Sequence, residues 1–326
     1  MKNYFLIFSS LLFLNPASIA QDSLETQEEN LVPDTVQVGT FFTSLYDLNF
    51  AERSFKTDFW IWYNYRSDSL YPLESVEISN AKEFEFQSND LEKINGVNWA
   101  THKCKAEVKQ EWRLENFPFD QQELTIEIED AISDSKSVIY LADIENSNYD
   151  KNIDLDGWNI KEFKVEQMLK LYETTYGNPE LSGSSEYPGL KASFLLERDG
   201  TALFFKLFVG IFVAYLISLM IFFMGPENPE RFGMIVGALF AGVANKYIVE
   251  SLIPHTVVAT LPDKIHNLTF VYIMLHLIVT VFVYRLGMNN KIKQGWRIDK
   301  IAFAISLVSY AVINIYWINQ AIVNTR

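Results

Sequence analysis

The chain has 326 residues, which is room for two domains, and its formal net charge is −14. Residues 21–199 hold 36 Asp and Glu against 16 Lys and Arg, whereas residues 201–326 hold 5 acidic and 10 basic residues. The acidic half argues against a nucleic-acid partner, which needs clustered Lys and Arg, and a single cysteine, Cys104, excludes an intrachain disulfide.

The first 20 residues have the pattern of a secretory signal peptide. Lys2 precedes a short apolar run, Phe5–Leu14, and the small residues Ser18 and Ala20 stand at the expected cleavage positions. We expect the mature chain to begin at Gln21 and its first domain to lie outside the cytoplasm. A retained membrane anchor is the alternative, which the shortness of the apolar run disfavours.

From residue 32 to residue 196 the sequence is typical of β-structure. Short runs rich in β-branched and aromatic residues, such as Ser54–Tyr65 and Glu123–Asp130, are separated by clusters of Asp, Asn, Ser, Gly and Pro. Strands at such regular spacing predict an immunoglobulin-like β-sandwich over residues 21–200. Its hydrophobic face is expected to include Phe59, Ile61, Leu124, Ile126 and Ile128.

Four apolar spans follow, at residues 202–224, 232–253, 266–284 and 301–323, and each is near the roughly 20 residues that cross a bilayer. They predict a four-helix transmembrane domain over residues 201–326. The linker between the third and fourth spans holds only one acidic residue, Asp299, and should be cytoplasmic by the positive-inside rule. The N-terminal domain and the C-terminus would then lie outside the cytoplasm. The basic residues of this linker are Arg285, Lys291, Lys293, Arg297 and Lys300.

The second span carries a row of mostly small residues, which we call the small-residue stripe. Its members recur at intervals of four or three residues and therefore share one face of a helix, with Glu230 and Glu250 near the two ends. Such a face is typical of a pore lining. Small residues at this spacing also let membrane helices pack closely, so the span alone leaves both interpretations open. The stripe consists of Gly233, Gly237, Phe240, Ala244, Tyr247 and Ser251.

Sequence motifs for catalysis are missing. The chain has no nucleotide-binding GxxxxGK[ST], no HExxH and no GxSxG, and its four histidines are too scattered to suggest a triad or a metal site. We therefore expect neither an enzyme nor a bound metal or cofactor.

One segment resembles a known family. Residues Asn116–Gln122, NFPFDQQ, are similar to the FPFDxQ motif of the pentameric ligand-gated ion channels, the Cys-loop receptor family. The two cysteines that flank this loop in animal receptors would fall on Gln110 and Leu124, and their absence matches the prokaryotic branch. The resemblance extends in family order over residues 36–323. The first span departs from the family pattern because it lacks a proline.

The resemblance implies a homopentamer, in which four identical subunits join this one around a central pore lined by residues 230–254. A ring of Glu230 carboxylates would select monovalent cations, whereas Arg231 turned into the pore would favour anions. Phe240 would form an apolar gate, and Glu250 would face the outer vestibule or a subunit interface. The channel would lie in the plasma (inner) membrane, in contact with lipid.

The resemblance also implies a coupling region where the two domains meet. We expect it to contain Phe119, Asp120, Arg198, Pro254 and Asp263, with an ion pair between Asp120 and Arg198.

The stimulus is left open by the sequence. Trp158, at an aromatic position of the family's binding site, could join Tyr172, Tyr176 and Tyr187 in an aromatic box for an amine agonist. Protons are the rival trigger. The rival function is a membrane-anchored extracytoplasmic sensor that conducts no ions.

Overall fold

The computed structural model describes residues 32–177, 183–253 and 258–323. Within these residues a β-rich N-terminal part is followed by four apolar helices long enough to cross a membrane, which confirms that part of the predicted architecture. The predicted signal peptide and Pro254 lie outside the described residues.

The β-rich part contains two sheets. In one sheet the strand order is β4-β5-β2-β1-β7, with β8 also paired to β1, and in the other it is β3-β6-β10-β9. A short helix, α1 (Pro72–Ser75), precedes β3. The strands are β1 (Asp34–Asn49), β2 (Ser54–Tyr65), β3 (Val76–Ile78), β4 (Ala81–Ile94), β5 (Val97–Lys109), β6 (Gln121–Asp130), β7 (Val138–Ala142), β8 (Asn148–Tyr149), β9 (Trp158–Tyr172) and β10 (Ser185–Arg198).

The two sheets pack face to face over an aromatic core. Phe42 of β1 stacks on Phe59 of β2 with ring centroids 4.9 Å apart, and it meets Phe194 of β10 edge to face at the same distance. Alternation along each strand turns these residues inward because successive side chains point to opposite faces. The predicted hydrophobic face is confirmed, since its five residues are fully buried: Phe59, Ile61, Leu124, Ile126 and Ile128.

The four long helices are α2 (Gly200–Leu219), which continues into a 3₁₀ turn, α3 (Glu230–Glu250), α4 (Leu261–Met288) and α5 (Ile292–Val323). The last two helices begin earlier than the predicted spans because their first turns are polar. A capping box defines the start of α4: the Thr260 hydroxyl accepts a bond from the Asp263 amide, and the Asp263 carboxylate accepts one from the Thr260 amide at 3.0 Å.

Candidate functional site

The small-residue stripe lies on the surface of this chain. All six of its residues and Glu230 are exposed, with Phe240 69% and Tyr247 76% accessible. A side chain added at Gly233 or Gly237 would meet no other atom within 4 Å. The opposite face of α3 is buried against the other helices through Ile235, Ala238, Gly242 and Val249. The stripe therefore points away from the bundle.

The two charged residues at the start of α3 point in different directions. Glu230 is exposed, whereas Arg231 is fully buried and forms a two-point ion pair with Asp299 of α5. Arg231 Nη2 lies 2.6 Å from Asp299 Oδ1, and Nη1 lies 3.0 Å from Oδ2. Adjacent helix residues are about 100° apart, so one can face out while the next faces in. The alternative in which Arg231 turns toward the stripe is wrong for this structure.

The opposite end of α3 carries a second, half-exposed pair. Lys246 Nζ lies 3.4 Å from Glu250 Oε1, one helical turn away. Both side chains reach water, so this pair contributes little to stability. Glu250 itself is exposed beside the stripe residue Ser251.

The predicted ion pair joins Asp120, in the loop between β5 and β6, to Arg198 at the end of β10. Arg198 Nε lies 2.7 Å from Asp120 Oδ1, and Nη2 lies 3.2 Å from Oδ2. The two side chains are 9% and 1% exposed. Gln122 donates a third bond to the Asp120 carboxylate at 2.6 Å. The pair fastens the end of β10 to this loop, just before α2 begins.

The tip of the same loop rests on the helices. The Phe119 ring lies 5.5 Å from the Phe204 ring of α2, and the Leu261 amide of α4 donates to the Glu115 carbonyl at 3.0 Å. At Gly200 a Cβ would overlap the carbonyl oxygen of Pro118, so only glycine allows this approach. Phe119 thus lies at the junction, as predicted. Asp263 caps α4 there, where its carboxylate accepts bonds from the amide and hydroxyl of Thr260.

Trp158 does not belong to an aromatic box with the three tyrosines, so that prediction is wrong. It is the first residue of β9, and its ring lies 4.0 Å from the Arg198 guanidinium. Tyr172 is the last residue of the same strand. Fourteen residues of extended chain at about 3.3 Å each hold the two about 45 Å apart. Trp158 instead completes the aromatic surroundings of the ion pair, together with Phe50 and Phe117.

The three tyrosines do come together, at the far end of the β-rich part from the helices. Tyr172 lies 6.0 Å from Tyr176 and 5.8 Å from Tyr187, and the last two rings are 6.4 Å apart. They line a pocket of about 410 Å³ that also includes Glu77 and Glu129. Aromatic faces beside carboxylates suit an ammonium group.

The two pocket carboxylates were missed by the sequence reasoning. Alternation along β6 predicts an outward-facing Glu129, but the Tyr172 hydroxyl covers its carboxylate with a 3.1 Å hydrogen bond and leaves it 2% exposed. Burial raises the pKa of Glu129, with opposing effects from the Tyr172 bond and from Lys170. Burial, reinforced by Glu129, also raises the pKa of Tyr172. The burial of Glu129 beside Tyr172 depends on strands that are distant in sequence, so no local sequence pattern predicts it.

If the pocket binds amines, its affinity for them should begin to fall at a higher pH than the pKa of an ordinary glutamate would give. Bound ammonium needs the ionised Glu129, and the raised pKa means that this carboxylate takes up a proton at a higher pH than usual. Glu129→Gln should weaken ethylammonium binding about tenfold and flatten this pH dependence. Calorimetric titration between pH 4 and 8 measures both effects. The matched control is Glu127→Gln on the same strand, and equal losses in both variants would contradict the assignment.

Comparison with models of known protein families finds no match, and comparison with curated proteins finds none either. Within the described residues the chain has a β-rich part of two sheets, four apolar helices, a buried ion pair at their junction, a tyrosine–carboxylate pocket and an exposed stripe on α3. These features fit a multi-pass membrane protein with an N-terminal β-rich domain.

Proposed function

We propose that this chain is one subunit of a homopentameric ligand-gated ion channel whose cation-selective pore is lined by α3. The observation that carries the proposal is the exposure of the small-residue stripe together with Glu230 while Arg231 is buried. Five such faces around an axis would form a water-filled path with a carboxylate ring at one mouth and the five Phe240 rings at mid-depth.

The composition of the exposed face supports a pore over contact with lipid. The accessible side chains of α5 are mainly large and aliphatic, as a lipid-facing surface requires. The stripe instead has Gly233, Gly237, Ala244 and Ser251 with Glu230 at its end, which would leave a lipid-facing groove poorly filled. Exposed aliphatic residues of α5 include Ile301, Ile305, Val308, Val312 and Ile315.

The proposed selectivity depends on Glu230. Glu230→Gln removes the carboxylate ring without changing side-chain size, and we expect the ratio of cation to anion permeability to fall about tenfold or more. Reversal potentials of the purified protein in a bilayer, measured across a KCl gradient, test this. Glu250→Gln at the other end of α3 is the comparison variant and should shift the potential less. An unmoved reversal potential in Glu230→Gln would reject the selectivity assignment.

The proposed stimulus is a small amine bound in the tyrosine–carboxylate pocket, with the movement carried along β9 and β10 to Arg198 and α2. The pocket supports this because it combines three aromatic rings with Glu77 and Glu129. Protons are the second candidate, and the described residues offer Glu250, which is exposed. Histidines near the α3–α4 connection could also titrate, but His255 lies outside the described residues and His266 is buried against Asn245.

Reconstitution tests the whole proposal. The purified chain in a planar bilayer should pass current when methylammonium, ethylammonium or tetramethylammonium is added to the side that carries the β-rich part, or when the pH on that side is stepped from 7 to 4. The response to the amine should require an intact pocket, whereas the response to protons should not. A chain that assembles but passes no current under any of these conditions would favour the non-conducting sensor.

In the cell we place the pentamer in the plasma membrane with the β-rich domain and the C-terminus outside the cytoplasm. The acidic β-rich half would then concentrate cations above the pore. The basic segment from Arg285 to Lys300, which spans the end of α4 and the first turns of α5, would face the cytoplasm, in agreement with the positive-inside rule.

A further inference from the structure

The strongest unexplained feature outside the proposed pore and pocket is the buried ion pair between Arg231 and Asp299. Both side chains are 0% exposed, and they join the first turn of α3 to the second turn of α5. Two charges so deeply buried are retained at a cost in desolvation, and an apolar pair of similar size would often be no less stable. Stability alone therefore does not account for the pair.

The surroundings fix Arg231 in this position. The turn before α3 packs tightly on two glycines: a Cβ at Gly287 of α4 would lie 2.8 Å from the Glu227 amide nitrogen, and one at Gly295 of α5 would lie 2.9 Å from the Pro226 ring. Asn228 accepts a bond from the Glu230 amide at 2.9 Å, which ties the turn to the first residue of α3. This packing sets the rotation of α3, which turns Glu230 outward and Arg231 inward.

We propose that Asp299 is a positioning residue for ion selectivity, which acts by holding the Arg231 charge away from the pore mouth. The inference rests on the proposed cation channel. Arg231 follows Glu230 directly, with their Cα atoms 3.8 Å apart as in any trans peptide. Without the Asp299 charge, a buried guanidinium has no counter-ion, and the carboxylates at this end of α3 are those of Glu227 and of the Glu230 ring, both exposed. A long and flexible arginine side chain that turned to this ring would neutralise it.

The distribution of charge at this end of the bundle supports the inference. Arg231 Nε has no hydrogen-bond partner among the described residues, so the guanidinium is held through its two terminal nitrogens by Asp299 alone. The other charged residues of the first three turns of α5, Lys293, Arg297 and Lys300, are exposed and positive. They would repel Arg231 and cannot replace Asp299.

The test compares three variants in the reconstituted channel across a KCl gradient, opened by the amine or the pH step that opens the wild type. Asp299→Asn should lower the ratio of cation to anion permeability about tenfold, because five arginines would oppose five carboxylates. Arg231→Gln should keep the wild-type ratio, since it removes the positive charge and leaves the Glu230 ring unchanged. The double variant R231Q/D299N should also keep it, although it carries the same change at Asp299.

This pattern separates positioning from general disturbance of the helix bundle. If Arg231→Gln shifts the reversal potential as much as Asp299→Asn, or if the double variant does not restore the wild-type value, the inference is overturned. A wild-type reversal potential in Asp299→Asn overturns it as well. Should Asp299→Asn not assemble alone, co-expression with an excess of wild-type chain gives mixed channels whose reversal potentials must still move toward chloride.

The outcomes also distinguish this inference from the proposed function. A wild-type protein that passes no cation current rejects the channel and the inference with it. The other case is a wild type that passes cations, a Glu230→Gln variant that loses selectivity and an Asp299→Asn variant that behaves like the wild type. That result retains the channel and rejects only the role of Asp299.

Discussion

Replacing Phe240 with alanine should give a channel that conducts without any ligand. Phe240 is the largest apolar side chain of the small-residue stripe, stands between Gly237 and Ala244, and is 69% exposed. Five phenylalanine rings at one level would close the proposed pore by steric block and dewetting, and a methyl group is too small for either effect. We expect the current in the absence of amine, at neutral pH, to rise about tenfold or more over the wild type.

The chain offers a matched control for this prediction. Phe282 on α4 is 61% exposed but does not belong to the stripe, so Phe282→Ala removes a similarly accessible ring from a different helix. Potassium efflux from loaded liposomes measures both variants together with the wild type. Equal and low efflux from all three would show that Phe240 does not close the pore.

Breaking the ion pair between Asp120 and Arg198 should cost both stability and response to the stimulus. The pair has two short contacts and is almost completely buried, with an aromatic ring 4.0 Å from the guanidinium. Removing one partner leaves an uncompensated charge, which typically destabilises a protein by about 3–5 kcal/mol. Asp120→Asn and Arg198→Met should therefore each lower the melting temperature. Variant protein that still folds and assembles should bind the amine without opening.

The same strands supply the control for this second prediction. Lys161 and Glu197 form an ion pair next to Arg198 whose side chains are 46% and 42% exposed, and Lys161→Met should cost no more than about 1 kcal/mol. The double variant D120N/R198M should be less destabilised than the sum of the single ones, since it leaves no lone buried charge. Thermal unfolding in detergent and amine-evoked current measure the two effects. A loss in Asp120→Asn no larger than that in Lys161→Met would contradict the coupling role.

Local patterns in the sequence were sufficient for most strands and helices and for which residues share one face of each. Alternation along the strands predicted the buried residues Phe59 and Ile61 of β2 and Leu124, Ile126 and Ile128 of β6, because a strand turns every second side chain to the same side. The spacing of the stripe predicted residues that share one face of α3, because a helix repeats every 3.6 residues. These properties depend only on neighbours in the chain.

The candidate pocket could be predicted only in part. The aromatic residues around the β9–β10 loop indicated that three tyrosines would meet, since the loop joins paired strands. Trp158 was assigned to the same pocket although the length of β9 separates it from them. Glu77 and Glu129 were missed because their place beside the tyrosines depends on the order of strands in the sheet, β3-β6-β10-β9.

The start of α3 shows most directly what the amino-acid sequence determines and what the tertiary structure determines. The sequence by itself placed Glu230 and Arg231 side by side at the end of a membrane-spanning helix, and it left open which of the two charges the exposed face would carry. Only the tertiary structure decided this, because Asp299 lies 68 residues away on α5 and binds the guanidinium with two contacts. Helix periodicity fixes the angle between neighbouring side chains, but the rotation of the whole helix is set by what packs against it.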